Sequence, residues 1–314
     1  MKVVCITGCL GFMGSHFTRA CLKKGWNVWG VDKKTYAARV ELLSEFQKSP
    51  SFRFLEADIV DMTHLYDVDY VINFAAETHV DNSIMDSGRF TRTNIVGVEN
   101  LLELIRAKRN YEMPVLFQIS TDEVYGDLVA GNHKETDPLK PSNPYSASKA
   151  AADMLILGWH RTHNVPFTIV RPTNNYGINQ YPEKLIPKAV KYLTLGKKIP
   201  LHGDGSYIRN WLHAEDTAGA MLHIIEHGQL NRIYNVSGNY EAPNKEIIAK
   251  VLKIYFGKDV TLEDYVQLNY VRMGEDVRYS LDDSSIRSLG WKNSKDFETE
   301  LKKIVEHYKN TFVW

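Results

Sequence analysis

The 314-residue chain has no excess of charge, few cysteines and no long apolar run. Lys plus Arg and Asp plus Glu number 38 each, so the basic excess typical of proteins that bind nucleic acid is missing. No segment reaches the roughly 20 consecutive apolar residues that a membrane helix needs, and the N-terminal MKVVCITG lacks the layout of a secretion signal. Cys5, Cys9 and Cys21 are too few for a disulfide framework, and no Cys/His cluster has the spacing of a metal site. These absences predict a cytoplasmic protein that binds no nucleic acid, membrane or metal.

Strand-like and helix-like segments alternate through the first half of the chain. Apolar runs at 2–7, 26–31, 51–58, 69–75, 114–120 and 165–171 are typical of strands, and segments 15–24, 90–109 and 147–163 are typical of helices. This alternation predicts an α/β fold with a doubly wound parallel sheet, covered by helices on both faces. We expect this domain to span residues 1–173, with a crossover at about 205–240.

The alternation ends after about Asn174, where polar and proline-containing stretches become frequent. Helices are predicted only at 185–195, 214–227 and 244–255. The sequence therefore predicts a smaller, loop-rich substrate lobe that occupies mainly residues 174–314.

A glycine-rich turn joins the first predicted strand to the first helix. Gly8, Gly11 and Gly14 would let backbone amides approach a pyrophosphate at the positive end of the helix. Asp32 closes the second strand, where a carboxylate accepts hydrogen bonds from an adenosine ribose. The pattern predicts a Rossmann-type dinucleotide site that favours NAD, although Lys33 and Lys34 leave NADP open.

Tyr145 and Lys149 lie four residues apart near the start of a predicted helix, so they share one face. A tyrosine that exchanges protons near neutral pH needs its pKa lowered from about 10. A lysine ammonium together with an oxidised nicotinamide would lower it. Ser120 and Thr121, at the end of an upstream strand, offer hydroxyl partners.

Ten short motifs along the chain point to one family. They are TGCLGFMG (7–14), DKKTYA (32–37), ADI (57–59), NFAAETHVDNSI (73–84), TNIVG (93–97), STDEVYG (120–126), NPYSASKAAAD (143–153), RPTNNYG (171–177), YPEKLIP (181–187) and HGDGSYIRNWLHAED (202–216). Together they resemble the extended short-chain dehydrogenase/reductases, and most closely the nucleoside-diphosphate-glucose 4,6-dehydratase family. Asp122 and Glu123 carry the specific likeness, because epimerases and decarboxylases of this superfamily usually lack the adjacent pair.

The resemblance implies C4 oxidation, elimination of water across C5–C6 and return of hydride to C6, giving a 4-keto-6-deoxy sugar. Tyr145, assisted by Lys149, would take the proton of the 4-hydroxyl, and Thr121 would hold the 4-oxygen. Glu123 would take the C5 proton, and neutral Asp122 would protonate the departing 6-hydroxyl.

The resemblance also implies two sets of binding residues. The cofactor set is Gly8, Gly11, Phe12, Met13, Gly14, Asp32, Lys33, Lys34, Thr35, Asp58, Ile59, Ala75, Ala76, Thr78, Thr93, Tyr145, Lys149 and Asn175. The substrate set is His79, Thr121, Asn174, Lys184, Leu185, Leu201, His202, Arg209, Asn244, Arg272 and Arg278. Two positions depart from the family pattern: Lys34 replaces an apolar residue, and Glu275 stands where a histidine is common.

The residues leave several functions open. The substrate could be UDP-glucose, dTDP-glucose or UDP-N-acetylglucosamine, and HGDGS resembles the UDP-glucose dehydratase part of rhamnose synthases. The product could retain or invert its C5 configuration; the Asp-Glu pair favours retention. A UDP-sugar 4-epimerase or decarboxylase and a catalytically inactive NAD(P)-binding regulator are the alternatives. The resemblance further implies a homodimer through helices 90–109 and 147–163.

Overall fold

A seven-stranded parallel sheet forms the centre of the larger part of the molecule. The computed structural model describes residues 1–108 and 112–311. The sheet strands are β1 (Val3–Thr7), β2 (Asn27–Asp32), β3 (Phe52–Glu56), β4 (Tyr70–Asn73), β5 (Val115–Ile119), β6 (Phe167–Pro172) and β10 (Arg232–Val236), in the order β10-β6-β5-β4-β1-β2-β3. All their pairings are parallel. The predicted doubly wound α/β fold is therefore confirmed.

Helices cover the sheet and build the rest of the chain. They are α1 (Phe12–Lys23), α2 (Leu42–Phe46), α3 (Val80–Met85), α4 (Ser87–Phe90), α5 (Gly97–Arg106), α6 (Pro144–His163), α7 (Leu185–Thr194), α8 (Ala214–His227), α9 (Asn244–Phe256), α10 (Leu262–Tyr265), α11 (Ser284–Ser288) and α12 (Phe297–Asn310). In the part of the chain so described, no helix is both long and apolar enough to cross a membrane.

The helix predicted at 90–109 differs from a single α-helix. It begins as α4, continues as a π-helical segment at Thr91–Val96 and ends as α5 at Arg106, while Arg109 lies outside the described residues. Buried Asn94 in the π-helical segment accepts a hydrogen bond from the Glu77 backbone and donates to the Ser148 hydroxyl. The irregular turn thus joins the end of β4 to α6.

Helix α6 begins three residues earlier than its apolar periodicity predicts. The Asn143 side chain accepts from the Ser146 backbone N–H at 3.0 Å, and the Ser146 hydroxyl accepts from the Asn143 N–H at 3.2 Å. This reciprocal cap, with Pro144 in the first turn, fixes the start of the helix. Tyr145 consequently lies in the first turn, one turn before Lys149.

Two small sheets and their helices form a second core. Strands β7 (Asn174–Tyr176), β9 (Ile208–His213) and β11 (Tyr240–Pro243) form one sheet, and β8 (Ile199–His202) and β12 (Val266–Tyr270) form the other. Their apolar side chains pack with those of α7, α9 and α12. Between β9 and β11 in the chain, α8 packs near α1 and β10 joins the large sheet. Residues 214–236 therefore return to the larger part of the molecule. This return is shorter than the expected 205–240, because β9 and β11 pair with each other.

A buried ion pair connects α6 to the large sheet. Asp153 and Arg171 have side chains 0% and 1% exposed, with guanidinium nitrogens 3.0 Å from the carboxylate oxygen Oδ2. The Ser120 hydroxyl donates to the same oxygen at 3.0 Å, and Arg171 also donates to the Tyr125 hydroxyl at 2.7 Å. The ends of β5 and β6 are thus held against the helix that carries Tyr145 and Lys149.

We expect Asp153→Ala to destabilise the fold strongly, because it leaves the Arg171 charge buried without its partner. The free energy of unfolding should fall by about 3–5 kcal/mol, measured by chemical denaturation. The matched control is Asp61→Ala, which breaks an exposed pair with Arg92 and should cost under about 1 kcal/mol. Equal losses in the two variants would contradict a structural role for the buried pair.

Candidate active site

A long cavity runs along the carboxyl ends of the parallel strands. It lies where the strand order reverses around β1, the position at which open α/β sheets bind ligands. A second cavity continues from it into the smaller part of the molecule. Glu123, Asn174 and Lys184 line both cavities, so the two form one continuous site.

The glycine-rich turn at one end of the long cavity has no room for side chains. Gly8 adopts φ +68°, and a Cβ there would approach the Ala75 backbone nitrogen to 2.8 Å. A Cβ on Gly14 would come within 2.0 Å of the Gly8 carbonyl oxygen. Helix α1 begins here with no side-chain cap, so its first backbone N–H groups can bind an anion. This cradle fits the pyrophosphate of a dinucleotide.

Asp32 and the two following lysines distinguish between the alternative cofactors. The Asp32 carboxylate accepts from the backbone N–H groups of Leu10 (3.0 Å) and Lys34 (2.8 Å), at the end of β2. Lys33 lies 3.4 Å from the Asp58 carboxylate, and Lys34 lies 2.5 Å from that of Glu56. Both lysines therefore have carboxylate partners, which disfavours a role in binding a 2′-phosphate.

Thr121, Asp122 and Glu123 form a short turn directly after β5. The Thr121 hydroxyl accepts from the Glu123 backbone N–H at 3.3 Å and donates to the Asp122 carboxylate at 3.1 Å. Burial, reinforced by the charge of Glu123, raises the pKa of Asp122 to about 8. Burial also raises the pKa of Glu123, but Arg209 and Lys184 oppose that shift by favouring its ionised form. Both adjacent carboxyl groups thus have raised pKa values, and that of Asp122 suits an acid that is protonated at neutral pH.

Tyr145 and Lys149 line the same cavity, and both side chains are buried. The Lys149 ammonium donates to the Ile119 carbonyl at 2.6 Å, and burial lowers its pKa to about 8, opposed by the charge of Asp153. Burial and the charge of Glu123 raise the pKa of Tyr145, while a hydrogen bond with Thr121 lowers it. The protein's own groups therefore do not produce the lowered tyrosine pKa that the sequence predicts.

The second cavity combines cations with unsatisfied polar atoms. Arg209 and Arg272 line it together with Lys184 and Lys188. Four buried polar atoms along it have no hydrogen-bond partner among the described residues: Asn174 Oδ1, His202 Nδ1, Trp211 Nε1 and Asn244 Oδ1. Buried polar atoms without partners are costly, so these atoms are suited to bonding a polar ligand.

The structure brings most residues of the two predicted sets to these cavities. Lining the long cavity are Gly8, Gly11, Phe12, Met13, Gly14, Asp32, Lys33, Thr35, Asp58, Ile59, Ala75, Ala76, Thr78, Thr93, Thr121, Tyr145, Lys149 and Asn175. Lining the second are His79, Asn174, Lys184, Leu185, His202, Arg209, Asn244 and Arg272.

Three residues of the predicted sets do not line either cavity. Lys34 is directed to Glu56 and the ring of Phe54. Leu201 is packed into the second core, 1% exposed. Arg278 bonds the Glu241 carboxylate and the Gly131 carbonyl.

The sequence reasoning assigned no role to several polar or aromatic residues of the second cavity, among them Lys188, Trp211, Glu275 and Tyr279. Trp211 lies inside a quoted motif, but a tryptophan in an apolar run is indistinguishable from core. Lys188 follows the YPEKLIP motif by one position, which is the one signal that could have identified it. Glu275 and Tyr279 lie in a segment without regular secondary structure, so no periodicity indicated their direction.

Comparison with known proteins identifies the family. The family model described as GDP-mannose 4,6 dehydratase matches residues 5–304. A relative from Haloferax volcanii, the low-salt glycan biosynthesis protein Agl12, is 38% identical over 310 residues, covering 97% of this chain and 98% of the relative. The dTDP-glucose 4,6-dehydratase of Neisseria meningitidis serogroup B is 38% identical over 337 residues, covering 100% of this chain and 95% of the relative.

A solved structure agrees with these sequence matches. DesIV, a dTDP-glucose 4,6-dehydratase from Streptomyces venezuelae solved with NAD and TYD bound, superposes with a TM-score of 0.92 at 36% identity. The match covers 99% of this chain and 97% of DesIV. With matches over nearly its whole length, the chain belongs to the nucleotide-sugar 4,6-dehydratase family, as the resemblance of its motifs predicts.

Proposed function

We propose that this protein is an NAD-dependent nucleoside-diphosphate-glucose 4,6-dehydratase, a hydro-lyase of nucleotide-sugar and deoxysugar biosynthesis. The observation that carries the proposal is the Asp122–Glu123 pair. Burial raises the pKa of Asp122 to about 8 and also raises that of Glu123, against the opposing charges of Arg209 and Lys184. Both carboxyl groups line the cavity together with Tyr145. Enzymes that need an acid and a base on neighbouring substrate atoms use such pairs of carboxyl groups, with pKa values set by their surroundings.

NAD is the cofactor that the long cavity fits. The glycine cradle receives the pyrophosphate, and the Asp32 carboxylate at the end of β2 receives the adenosine ribose hydroxyls. Lys33 and Lys34 are paired with Asp58 and Glu56, which supports NAD over NADP. DesIV, at 36% identity, carries NAD. When bound, NAD supplies the hydride acceptor and donor for the sugar.

The chain's own residues carry the proton transfers. Tyr145 removes the proton of the sugar 4-hydroxyl, and Thr121 holds the resulting 4-oxygen. The 4-ketone acidifies the C5 hydrogen, which Glu123 takes as a carboxylate. Asp122, neutral below about pH 8, gives its proton to the departing 6-oxygen so that it leaves as water.

The second cavity is the proposed seat of the nucleoside diphosphate. Guanidinium groups suit phosphate oxygens, and Arg209 and Arg272 both lie in it, largely shielded from solvent. The unsatisfied atoms of Asn174, His202, Trp211 and Asn244 can bond the sugar, ribose or base. We propose glucose as the hexose, with either uridine or deoxythymidine as the nucleoside.

Neither a UDP-sugar 4-epimerase nor a UDP-sugar decarboxylase needs the paired carboxyl groups of Asp122 and Glu123. A 4-epimerase requires hydride transfer at C4 alone, so it has no use for an acid at C6 and a base at C5. Detection of the 4-keto-6-deoxy product from UDP-glucose or dTDP-glucose separates these activities. We further propose retention at C5, which proton NMR of the product tests directly.

We also propose a cytoplasmic homodimer. The free, buried thiols of Cys5, Cys9 and Cys21 suit a reducing compartment. Val96 and Met154, on the π-helical segment and α6, are 40% and 50% exposed, which suits a partner surface. Sedimentation should therefore give twice the monomer mass; a monomer mass would contradict the dimer.

We expect Glu123→Gln to abolish most turnover while preserving the fold. The amide keeps the size of the side chain but cannot accept the C5 proton, so turnover should fall roughly 10²–10⁴-fold. In deuterated water the wild type should incorporate deuterium at C5, whereas the variant should not. The matched control Glu306→Gln, at an exposed position of α12, should match the wild type. Wild-type exchange in Glu123→Gln would show that the base lies elsewhere.

We expect Asp122→Asn to have a defect that depends on the leaving group. The amide cannot donate an acidic proton, so dehydration of the glucose nucleotide should slow by roughly 10²–10⁴-fold. A 6-deoxy-6-fluoroglucose nucleotide loses fluoride without needing that proton, so the variant should recover most of its rate on this substrate. Glu123→Gln should stay slow on both substrates. No recovery in Asp122→Asn would exclude Asp122 as the acid.

The proposed role of Asp122 as the acid also predicts how turnover depends on pH. Because Asp122 must be protonated and its pKa is about 8, wild-type turnover of the glucose nucleotide should fall as pH rises through about 8. Lys149, with a pKa also near 8, loses its charge in the same range. The fluoro substrate separates the two groups, because only the Asp122 contribution disappears with it. An identical pH profile on both substrates would contradict the assignment.

A further inference from the structure

Glu275 lies between the two arginines of the second cavity. Its Oε1 is 2.8 Å from Arg209 Nη2, and its Oε2 is 2.8 Å from Arg272 Nη1. The Glu275 and Arg209 side chains are 7% and 8% exposed, and that of Arg272 is 18% exposed. One carboxylate thus bridges two guanidinium groups with its two oxygens, as a phosphate group would.

Both arginines are also held by groups other than Glu275. Arg209 donates through Nη1 to the Ile208 carbonyl at 2.8 Å and stacks on Tyr279, with its guanidinium carbon 4.4 Å from the ring centre. Arg272 bonds both oxygens of the Asp81 carboxylate, at 2.5 and 3.2 Å. Glu275 is therefore not needed to keep either guanidinium in place.

The bridging carboxylate opposes the binding of an anionic ligand in the second cavity. It uses guanidinium N–H groups within the cavity proposed to receive the diphosphate, and it brings a like charge next to that ligand. In a site of low exposure, a like charge beside an anion is costly, whereas the matching ion pair is favourable.

We propose that Glu275 is a specificity-determining residue that bonds the two diphosphate-binding arginines before substrate binds and must be displaced from them by the substrate's diphosphate. The proposal rests on the proposed function for the identity of the ligand. Its physical content is a competition: the carboxylate and the phosphates bond the same two arginines. A doubly charged diphosphate can displace it, whereas a ligand without phosphate has no means to do so.

The test measures binding of nucleoside diphosphates by calorimetry to the full-length NAD-loaded protein. Removing the competing charge in Glu275→Gln should tighten binding of UDP or dTDP by roughly tenfold, the scale on which buried like charges alter affinity. The effect should be smaller for UMP or dTMP and absent for uridine or thymidine. Glu275→Ala should shift affinity in the same direction, which guards against a defect particular to glutamine. Thermal unfolding of each variant checks that the fold is intact.

Asp81→Asn is the matched control. It removes one negative charge from Arg272, at a residue that does not line the cavity, so it should not tighten binding. Equal tightening in Asp81→Asn would mean that net charge alone is responsible, and would overturn the proposal. Weaker diphosphate binding in Glu275→Gln would likewise overturn it, since Glu275 would then position the arginines or bond the ligand.

The outcomes separate this inference from the proposed dehydratase activity. If the wild type forms the 4-keto product but Glu275→Gln does not bind diphosphates more tightly, only the inference fails. If the variant binds diphosphates more tightly but the wild type dehydrates no glucose nucleotide, only the proposed function fails. If the wild type binds no nucleoside diphosphate, both fail.

Discussion

The buried Asp153–Arg171 pair is the interaction on which the site depends. A charged pair shielded from water is strongly favourable only while both partners stay in register. Asp153 is on α6, one turn beyond Lys149, and Arg171 is on β6, beside the strand whose end carries Ser120. The pair therefore fixes how far α6 can slide or rotate over the sheet. This constraint holds the lysine and the carboxyl-bearing turn after β5 in one arrangement.

Burial raises the pKa of both carboxyl groups in the turn after β5. For Asp122 the charge of Glu123 adds to the effect of burial, and the hydrogen bond from Thr121 and the charge of Arg209 oppose it, so the neutral acid is favoured up to about pH 8. For Glu123 the charges of Arg209 and Lys184 are the main effects that oppose burial. Both cations line the second cavity, so the smaller part of the molecule supplies the charges that favour the ionised form of the base.

The sequence predicted those parts of the molecule that local rules govern. Parallel strands buried on both faces give uninterrupted apolar runs, and a strand–glycine–helix turn leaves few alternatives, so the sheet and the phosphate cradle were foreseeable. The start of α6 was misplaced because the Asn143–Ser146 cap is a reciprocal side-chain interaction and not a periodicity.

The partners of the long charged side chains could not be predicted from the sequence. Lys34 and Arg278 were expected to bind ligands, but each is paired with a carboxylate that is distant in sequence, Glu56 or Glu241. Glu275 was noticed only as an unusual residue, since its bridge to Arg209 spans 66 positions. Such pairings depend on which distant segments the fold brings together, and no local pattern encodes that.

The π-helical segment between α4 and α5 restricts insertions and deletions in this part of the chain. From Thr93 to Ile105 the buried positions recur every fourth residue, at 93–94, 97–98, 101–102 and 105. An ideal α-helix would let such a stripe drift by about 40° at each repeat, or roughly 120° over three repeats. The wider turn lies at the first of these repeats and holds one extra residue, and removing that residue would rotate the following helix by about 100°. Deleting any residue of the segment would rotate α5 out of the core, so its length is constrained even at the exposed positions Arg92 and Val96.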